Sequence, residues 1–332
     1  MSLKNNNKPF FTICTEVNNR EKTIERTMSS IAAQDFIDYE YIIVDNCSED
    51  QSREVISNYL RKNNNLNSKT KYIKLDKKLQ NIASWNKPLE FANGSYIVVC
   101  EGDDWFESSH LSLAHKVLTK NHEVGMYISL RADLHNFQGA NLISEEFYGY
   151  LNSSDMLKKL ISFDFIPPPS NVIFKRELNN FRFNYDSENY VYAGEISLYY
   201  ELLIKNLDAY VNSNALTVNR GFSSYKRSYF HIKDRYFSFN KWLKNGHYDS
   251  NEKTIREKLF KASLTIFFGQ LIIFSFEKKL VKHLLAEALK LGLLYSTIMF
   301  LSYLGTFLIK YLKLFSKKIL KSLFQKKPQI NT

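Results

Sequence analysis

From residue 10 onward the chain alternates short, strongly apolar runs with longer amphipathic ones, and this alternation restricts its possible folds more than any other feature. Residues 10–14, 41–44, 72–75, 96–100 and 124–130 are apolar runs of strand length. Residues 21–33, 50–62, 82–92 and 111–119 carry the three-to-four-residue apolar spacing of helices. Strands separated by helices of this length need right-handed crossovers, which build a mostly parallel, Rossmann-like sheet sandwiched by helices. The expected class is α/β. The chain has 332 residues and 44% apolar content, enough for one large domain or two smaller ones.

Further along, residues 153–211 read as a helix, a turn at 166–170 with three consecutive prolines, a strand at 171–174 and a helix near 195–205. The Asn-rich stretch 63–67 reads as a loop. Beyond residue 254 the strand pattern stops and long apolar-basic helices take over, which sets the expected organisation as 1–253 for the α/β domain and 254–332 for a C-terminal helical region. Residues 291–309 carry no charge and as a helix would extend about 28 Å, near the roughly 30 Å of a bilayer's hydrocarbon core. Hydroxylated residues and two glycines dilute that segment, and a basic amphipathic run follows it. The preferred reading is therefore of helices lying on an anionic membrane surface, with a soluble helical subdomain or an oligomer interface through these helices as the alternative.

Charge and cysteines exclude several classes. The formal net charge is +11, yet much of the excess is local: seven lysines and no acidic residue fall between positions 310 and 327. With no zinc-finger spacing, no Arg-rich arm and no aromatic RNA-binding consensus, nucleic acid is not an expected partner. Cys14, Cys47 and Cys100 are widely spaced, so neither a disulfide framework nor a structural zinc site is indicated. The polar N-terminus lacks the apolar core of a secretory signal. The expected location is the cytoplasm, peripheral on the inner face of the cell membrane.

In sheets of this kind, ligands sit against the loops leaving the carboxyl ends of the strands. Those loops hold the polar residues: Thr15, Glu16, Asn18 and Asn19 after the first strand; Asp45, Asn46, Ser48 and Asp50 after the second; Glu101, Asp103 and Asp104 after the fourth. Glu101 and Asp103 are two apart, so an extended backbone puts both on one side. Hard oxygen ligands at that spacing suit Mg2+ or Mn2+ held by one or two carboxylates, with water and diphosphate oxygens completing its shell. The same acidic turn would also serve simply to cap the helix that follows, as would Asp45 to Asp50 before theirs.

The ordered set Thr12-Ile13-Cys14-Thr15-Glu16-Val17-Asn18-Asn19-Arg20-Glu21, then Ser30-Ile31-Ala32-Ala33-Gln34, then Tyr41-Ile42-Ile43-Val44-Asp45-Asn46-Cys47-Ser48-Glu49-Asp50 resembles family-2 glycosyltransferases of the GT-A fold. Residues 81–97, running into Glu101-Gly102-Asp103-Asp104, are similar to the same family in order and spacing. The resemblance is strong over residues 10–130 and extends more faintly to 205. It implies a nucleotide-diphosphate-sugar donor, with UDP-sugars foremost, and places Thr15, Val17, Asp45, Asn46, Asn86 and Asp103 against it. It also implies a divalent cation on Asp104 and Glu101. The family usually has two acids where this chain has Asp45-Asn46, and an amide at the second position donates as well as accepts.

By the same resemblance, Ala193-Gly194-Glu195 is similar to the segment that carries the general base of inverting members, which makes Glu195 the candidate catalytic residue. A plain helix N-terminus is its alternative role. Residues 166–170 resemble an acceptor-side loop, and Arg220, Lys226 and Arg227 would form a basic lid on the diphosphate. The Gln-x-x-Arg-Trp signature of processive members is absent, implying one sugar added per encounter. Trp85 and Trp105 are candidates for stacking on a sugar or base. The implied acceptor is a glycan or lipid-linked glycan of bacterial-type surface polysaccharide synthesis. An inert nucleotide- or glycan-binding scaffold of the same fold is the competing class, since Asn46 and Ile196 both depart from the family's habit. A nucleotidyltransferase would need a Gly-rich basic loop that residues 15–20 lack.

Overall fold

The structure is a computed structural model of the chain. It describes residues 8–79, 82–133, 148–156, 167–176, 199 and 207–219. All of them lie in the first of the two units into which the chain divides, Met1–Lys244; the second is Asn245–Thr332. The expected boundary at 253, the helical region 254–332, Glu195 and the basic residues 220–227 fall outside the described residues. Among the described residues no helix is long and apolar enough to cross a membrane.

The expected strand–helix alternation is present. Strand β1 (Phe11–Val17) is followed by α1 (Ile24–Ala32), β2 (Tyr39–Asp45), α2 (Ser52–Lys62), α3 (Asn64–Lys69), β3 (Thr70–Lys74), α4 (Ile82–Leu89) and β4 (Tyr96–Val99). Strand β1 pairs in parallel with β2 and β4, and β2 with β3. Then come β5 (Trp105–Phe106), α5 (His110–Leu118), β6 (Val124–Asp133), β7 (Gly149–Leu151), a 3-10 turn at Pro169–Asn171, β8 (Val172–Lys175) and β9 (Asp208–Asn219). One nine-stranded sheet runs β3-β2-β1-β4-β8-β6-β9-β5, with β7 paired to β9. Most of its paired residues lie in parallel ladders. Antiparallel pairings join β8 to β4 and β6, and β5 and β7 to β9.

Alternation along β1 divides the molecule. Phe11, Ile13 and Val17 face one side and pack with Ile24, Met28 and Ile31 of α1, Ile56 and Leu60 of α2, and Leu111, Ala114 and Leu118 of α5. Each such side chain removed from water contributes about 1.5–3 kcal/mol relative to exposure. Cys14 and Glu16 face the other side, toward Trp85 and Pro88 of α4.

Several element boundaries differ from expectation for identifiable reasons. Helix α1 starts at Ile24 rather than residue 21 because the Arg20 and Glu21 amides are bonded to Ser52 Oγ and Asp50 Oδ2 in the neighbouring loop. Helix α4 stops at Leu89: Pro88 lacks an N–H, and the next amides turn back to i−3 carbonyls. The expected loop at 63–67 is instead the short helix α3. There the Asn63 side chain accepts from the Leu66 amide at 3.0 Å and Leu66 is buried, so an asparagine read as a loop former acts as an N-cap.

The core also contains a histidine at the start of α5. His110 is fully buried and stacked on Phe106 with ring centroids 4.2 Å apart, and neither ring nitrogen has a hydrogen-bond partner. Burial lowers its pKa to about 3. The unfolded chain therefore binds a proton below pH 6.5 that the folded one refuses, and stability contributed by neutral His110 is lost as pH falls from 6.5 toward 3. Below pH 6.5 the expected slope from this residue approaches about 1.4 kcal/mol per pH unit. Urea titrations from pH 7 to 4 should show that component in the native protein and lack it in His110→Phe.

Candidate active site

The parallel register of β1, β2 and β4 brings the three polar loops to one edge of the sheet. The first two are laced together. Asn18 Nδ2 donates to the Asn46 carbonyl at 2.8 Å, the Asn19 amide to Ser48 Oγ at 3.1 Å, and the Glu49 amide to Asn19 Oδ1 at 2.8 Å. Asn19 and Cys47 both take φ of +56°, which folds each loop back onto the other. Burial alone would raise the Asp50 carboxyl, but bonds from Ser52 Oγ and from the Glu21 and Ser52 amides outweigh it and hold the group below its usual range.

The acidic loop after β4 is gripped from both sides. From the first loop and α1, Thr23 Oγ1 donates to the Gly102 carbonyl at 2.8 Å, Arg26 Nη2 to the Asp103 carbonyl at 3.2 Å and Thr27 Oγ1 to the Asp104 carbonyl at 2.8 Å. From the proline turn, Ser170 Oγ accepts the Glu101 amide at 3.0 Å. Of residues 166–170, read from sequence as an acceptor-side loop, Ser170 thus touches the acidic loop directly. Arg20 Nη2 lies 3.7 Å from Asp103 Oδ2. Both groups are partly exposed, so the pair orients side chains more than it stabilises the fold.

A cavity opens at this junction, lined among others by Cys14, Glu16, Arg20, Trp85 and Glu101. Of the residues singled out from sequence, Glu101 and Trp85 reach it. Asp103 stands beside it through Arg20, and Asp104 is buried beneath the loop. Thr15 and Val17 are on the opposite face: Thr15 Oγ1 accepts from the buried Tyr41 hydroxyl at 3.1 Å and Val17 is in the core. Any contact they make with a donor would therefore run through main chain. Asp45 is fully buried, bonded to the Ser48 amide and the Arg53 guanidinium. Asn86 is buried in α4. Trp105 packs under the Arg26 guanidinium at 3.5 Å instead of lining the cavity.

Asn46, expected to read the base, has its amide engaged within the protein. Its Oδ1 accepts the Leu79 amide at 2.7 Å, and its Nδ2 donates to the Leu79 carbonyl at 2.9 Å and to Glu16 Oε1 at 3.0 Å. Only an amide can serve a donor and two acceptors at once. The sequence placed Glu16 in the polar loop after the first strand without giving it a role, and did not single out Arg53. For Glu16 the missing signal was strand parity, because a β1 extending to residue 17 turns 14 and 16 away from the core. Burial raises the Glu16 carboxyl, and the charge of Asp45 adds to this, against bonds from Asn46 and Ser84 and the charge of Arg20.

Among the described residues no group of three or more His, Cys, Asp or Glu side chains is gathered closely enough to hold an ion unaided. Glu101 lines the cavity and Asp104 lies buried in the same loop, two carboxylates of the kind and number that can share an ion with diphosphate oxygens and water.

Comparison with known proteins agrees with this layout. The profile described as Glycosyl transferase family 2 matches residues 12–183. Among curated proteins, the poly(ribitol-phosphate) β-N-acetylglucosaminyltransferase TarS of Staphylococcus aureus is 27% identical over 127 residues, which is 36% of this chain and 21% of TarS. The putative teichuronic acid biosynthesis glycosyltransferase TuaG of Bacillus subtilis is 29% identical over 104 residues, 31% of this chain and 40% of TuaG. These alignments therefore span less than half the length of either relative. Among solved structures, TarS 1–349 with UDP-GlcNAc superposes with a TM-score of 0.60 at 18% identity, covering 78% of this chain and 72% of that one. The mannosyltransferase PcManGT of Pyrobaculum calidifontis, with GDP-Man and Mn2+, gives 0.54 at 16%, covering 92% and 87%. At those identities the likeness is one of fold, the GT-A fold expected from the sequence. The family profile covers more than half of the chain, and with that fold the conclusion is direct: the chain belongs to glycosyl transferase family 2.

Proposed function

We propose that this protein transfers a single sugar from a nucleotide-diphosphate sugar, a UDP-sugar first among them, to a glycan or lipid-linked acceptor with inversion, in the synthesis of a bacterial surface polysaccharide. The observation that carries the reading is the junction of the three loops, where Glu16, Arg20, Trp85 and Glu101 surround one cavity and the acidic loop is held by Thr23, Thr27 and Ser170. A donor in that cavity would set its diphosphate toward Glu101 and Asp104. A divalent cation on those two carboxylates would neutralise the leaving diphosphate. Arg20 would add a positive charge on the same side, and the main chain of residues 15–18 with the Asp45–Ser48 loop would carry the nucleoside. Glu195 is proposed as the base that takes the acceptor's proton, on the family resemblance alone. The C-terminal region is proposed to hold the enzyme on an anionic membrane surface, where a lipid-linked acceptor is presented.

The test is a donor screen. Purified full-length protein with manganese is offered UDP-glucose, UDP-GlcNAc, UDP-galactose and GDP-mannose, and thermal shift and donor hydrolysis are read. A metal-dependent shift with at least one donor, accompanied by slow hydrolysis, is expected. Binding without turnover, even when membrane extracts containing lipid-linked acceptors are supplied, would favour a scaffold instead.

A further inference from the structure

The cavity holds a carboxylate to which the sequence assigned no role, and a neighbouring side chain is built around it. Strand parity turns Glu16 into the cavity, opposite the core face occupied by Thr15 and Val17. Asn46 Nδ2 donates to Glu16 Oε1 at 3.0 Å, and the Ser84 side chain donates to the same carboxylate. Among the described residues these two donors leave part of the carboxylate's acceptor capacity unspent, since its two oxygens offer about four lone-pair sites. Asn46 cannot shift to meet a ligand without releasing both the Leu79 amide and the Leu79 carbonyl, because its amide bonds both. It is also 3% exposed.

The surroundings indicate what Glu16 can bind. Glu101 brings a second acid to the cavity, Trp85, Pro88 and Val99 supply an apolar wall, and Arg20 lines it as a cation. Acidic acceptors beside an aromatic and apolar wall suit a ring that donates hydrogen bonds from hydroxyls while laying its C–H face on the wall. A diphosphate offers only acceptors and negative charge, so it does not match Glu16.

The geometry points to Glu16 as the residue that binds a hydroxyl-bearing ring of the donor, either the ribose or the transferred sugar, and to Asn46 as a positioning residue that acts through Glu16 and never touches the donor. This rests on the donor reading of the cavity given above. It moves the polar contact from the second loop, where sequence placed it, to the first strand.

Affinities for UDP, UDP-GlcNAc and GDP-mannose are measured by calorimetry with manganese, alongside melting midpoints, for the wild type, Glu16→Gln, Asn46→Asp and the double variant that exchanges the two groups. Glu16→Gln keeps the wild-type midpoint and loses about 10-fold or more in affinity, the scale of one hydrogen bond to a charged group. A loss already present with UDP assigns the ribose, and a loss confined to the nucleotide sugars assigns the transferred sugar. Asn46→Asp sets a second carboxylate against Glu16 and lowers both midpoint and affinity. In the double variant the new glutamine amide on β1 donates to the new carboxylate of the second loop, so the midpoint recovers in part, the Leu79 carbonyl still lacking its donor, while the affinity stays as low as in Glu16→Gln. The inference is overturned if Glu16→Gln binds as the wild type does, or if the exchange restores affinity together with stability. A wild-type protein that binds none of the three probes would instead overturn the donor reading itself.

Discussion

Asp104→Asn abolishes metal-dependent donor turnover while leaving the protein folded. The main chain of residue 104 is held at both ends: its carbonyl accepts from Thr27 Oγ1 at 2.8 Å and its amide donates to the Glu101 carbonyl at 2.9 Å. Asparagine keeps both main-chain bonds at nearly the same volume, so the fold is expected to persist, with the melting midpoint without ligand read beside the activity. The side chain, however, loses the charge that a Mg2+ or Mn2+ ion requires of one of its few protein ligands. The expected loss in donor hydrolysis is about 10²–10³-fold, the range for removing one electrostatic contact at a reacting centre. The manganese-dependent part of the thermal shift with nucleotide sugar should vanish with it. If Asp104→Asn hydrolyses donor at the wild-type rate with an unchanged manganese requirement, the assignment of this carboxylate to the cation fails.

The largest effect on stability is expected at Gly94, which no catalytic argument involves. A Cβ there would lie 2.5 Å from the Thr12 amide nitrogen, 2.6 Å from the Phe11 carbonyl carbon and 2.7 Å from Thr12 Oγ1. Two of those atoms are the backbone of β1, which is clamped between β2 and β4 and cannot retreat. The Gly94 amide also donates to Thr12 Oγ1 at 2.7 Å, and its carbonyl accepts from Arg176 Nε at 2.6 Å, so residue 94 cannot move away either. Gly94→Ala is expected to cost about 3 kcal/mol or more, the upper end of overpacking penalties. Urea unfolding would show this as a midpoint lowered by about 1 M or more. Gly149→Ala supplies the contrast. There φ is +93° with nothing within 4 Å of the added atom, so only the backbone preference of about 1–2 kcal/mol is lost. Equal losses at the two sites would mean that the contact with β1 is not what demands glycine at 94.

Much of the fold was legible before the structure. The apolar run Tyr41–Val44 became most of β2, the amphipathic run to Lys62 became α2, and Glu101, Asp103 and Asp104 lie in the loop leaving β4, as the alternation required. The strands β5, β7 and β9 were not visible. Two of them are two and three residues long, too short for any periodicity to register. The third, Asp208–Asn219, is rich in polar residues and pairs with β6 across a register shift between Ser129 and Leu130, so its alternation is broken where a pattern would be sought. Such strands exist because a neighbour offers hydrogen bonds, which is not a property of their own residues. The inward turn of Thr15 was hidden for a related reason. Its facing depends on whether β1 ends at Cys14 or at Val17, and the ladder with β2, reaching Val17 opposite Asp45, decides that.

The sequence by itself determined the main strand–helix alternation, the family, and the three loops that had to meet at one sheet edge. Those follow from local periodicity and from the rule that parallel strands share a direction. Only the tertiary structure decided which side chains occupy the meeting point. Asn46 turned inward to Leu79 and Glu16, Asp45 closed onto Arg53, and Glu16 came to face the cavity. A polar side chain at a strand end has several partners within reach, and for Asn46 the ones it takes, Glu16 and Leu79, lie about 30 positions away in the chain and are brought close only by the pairing of the strands.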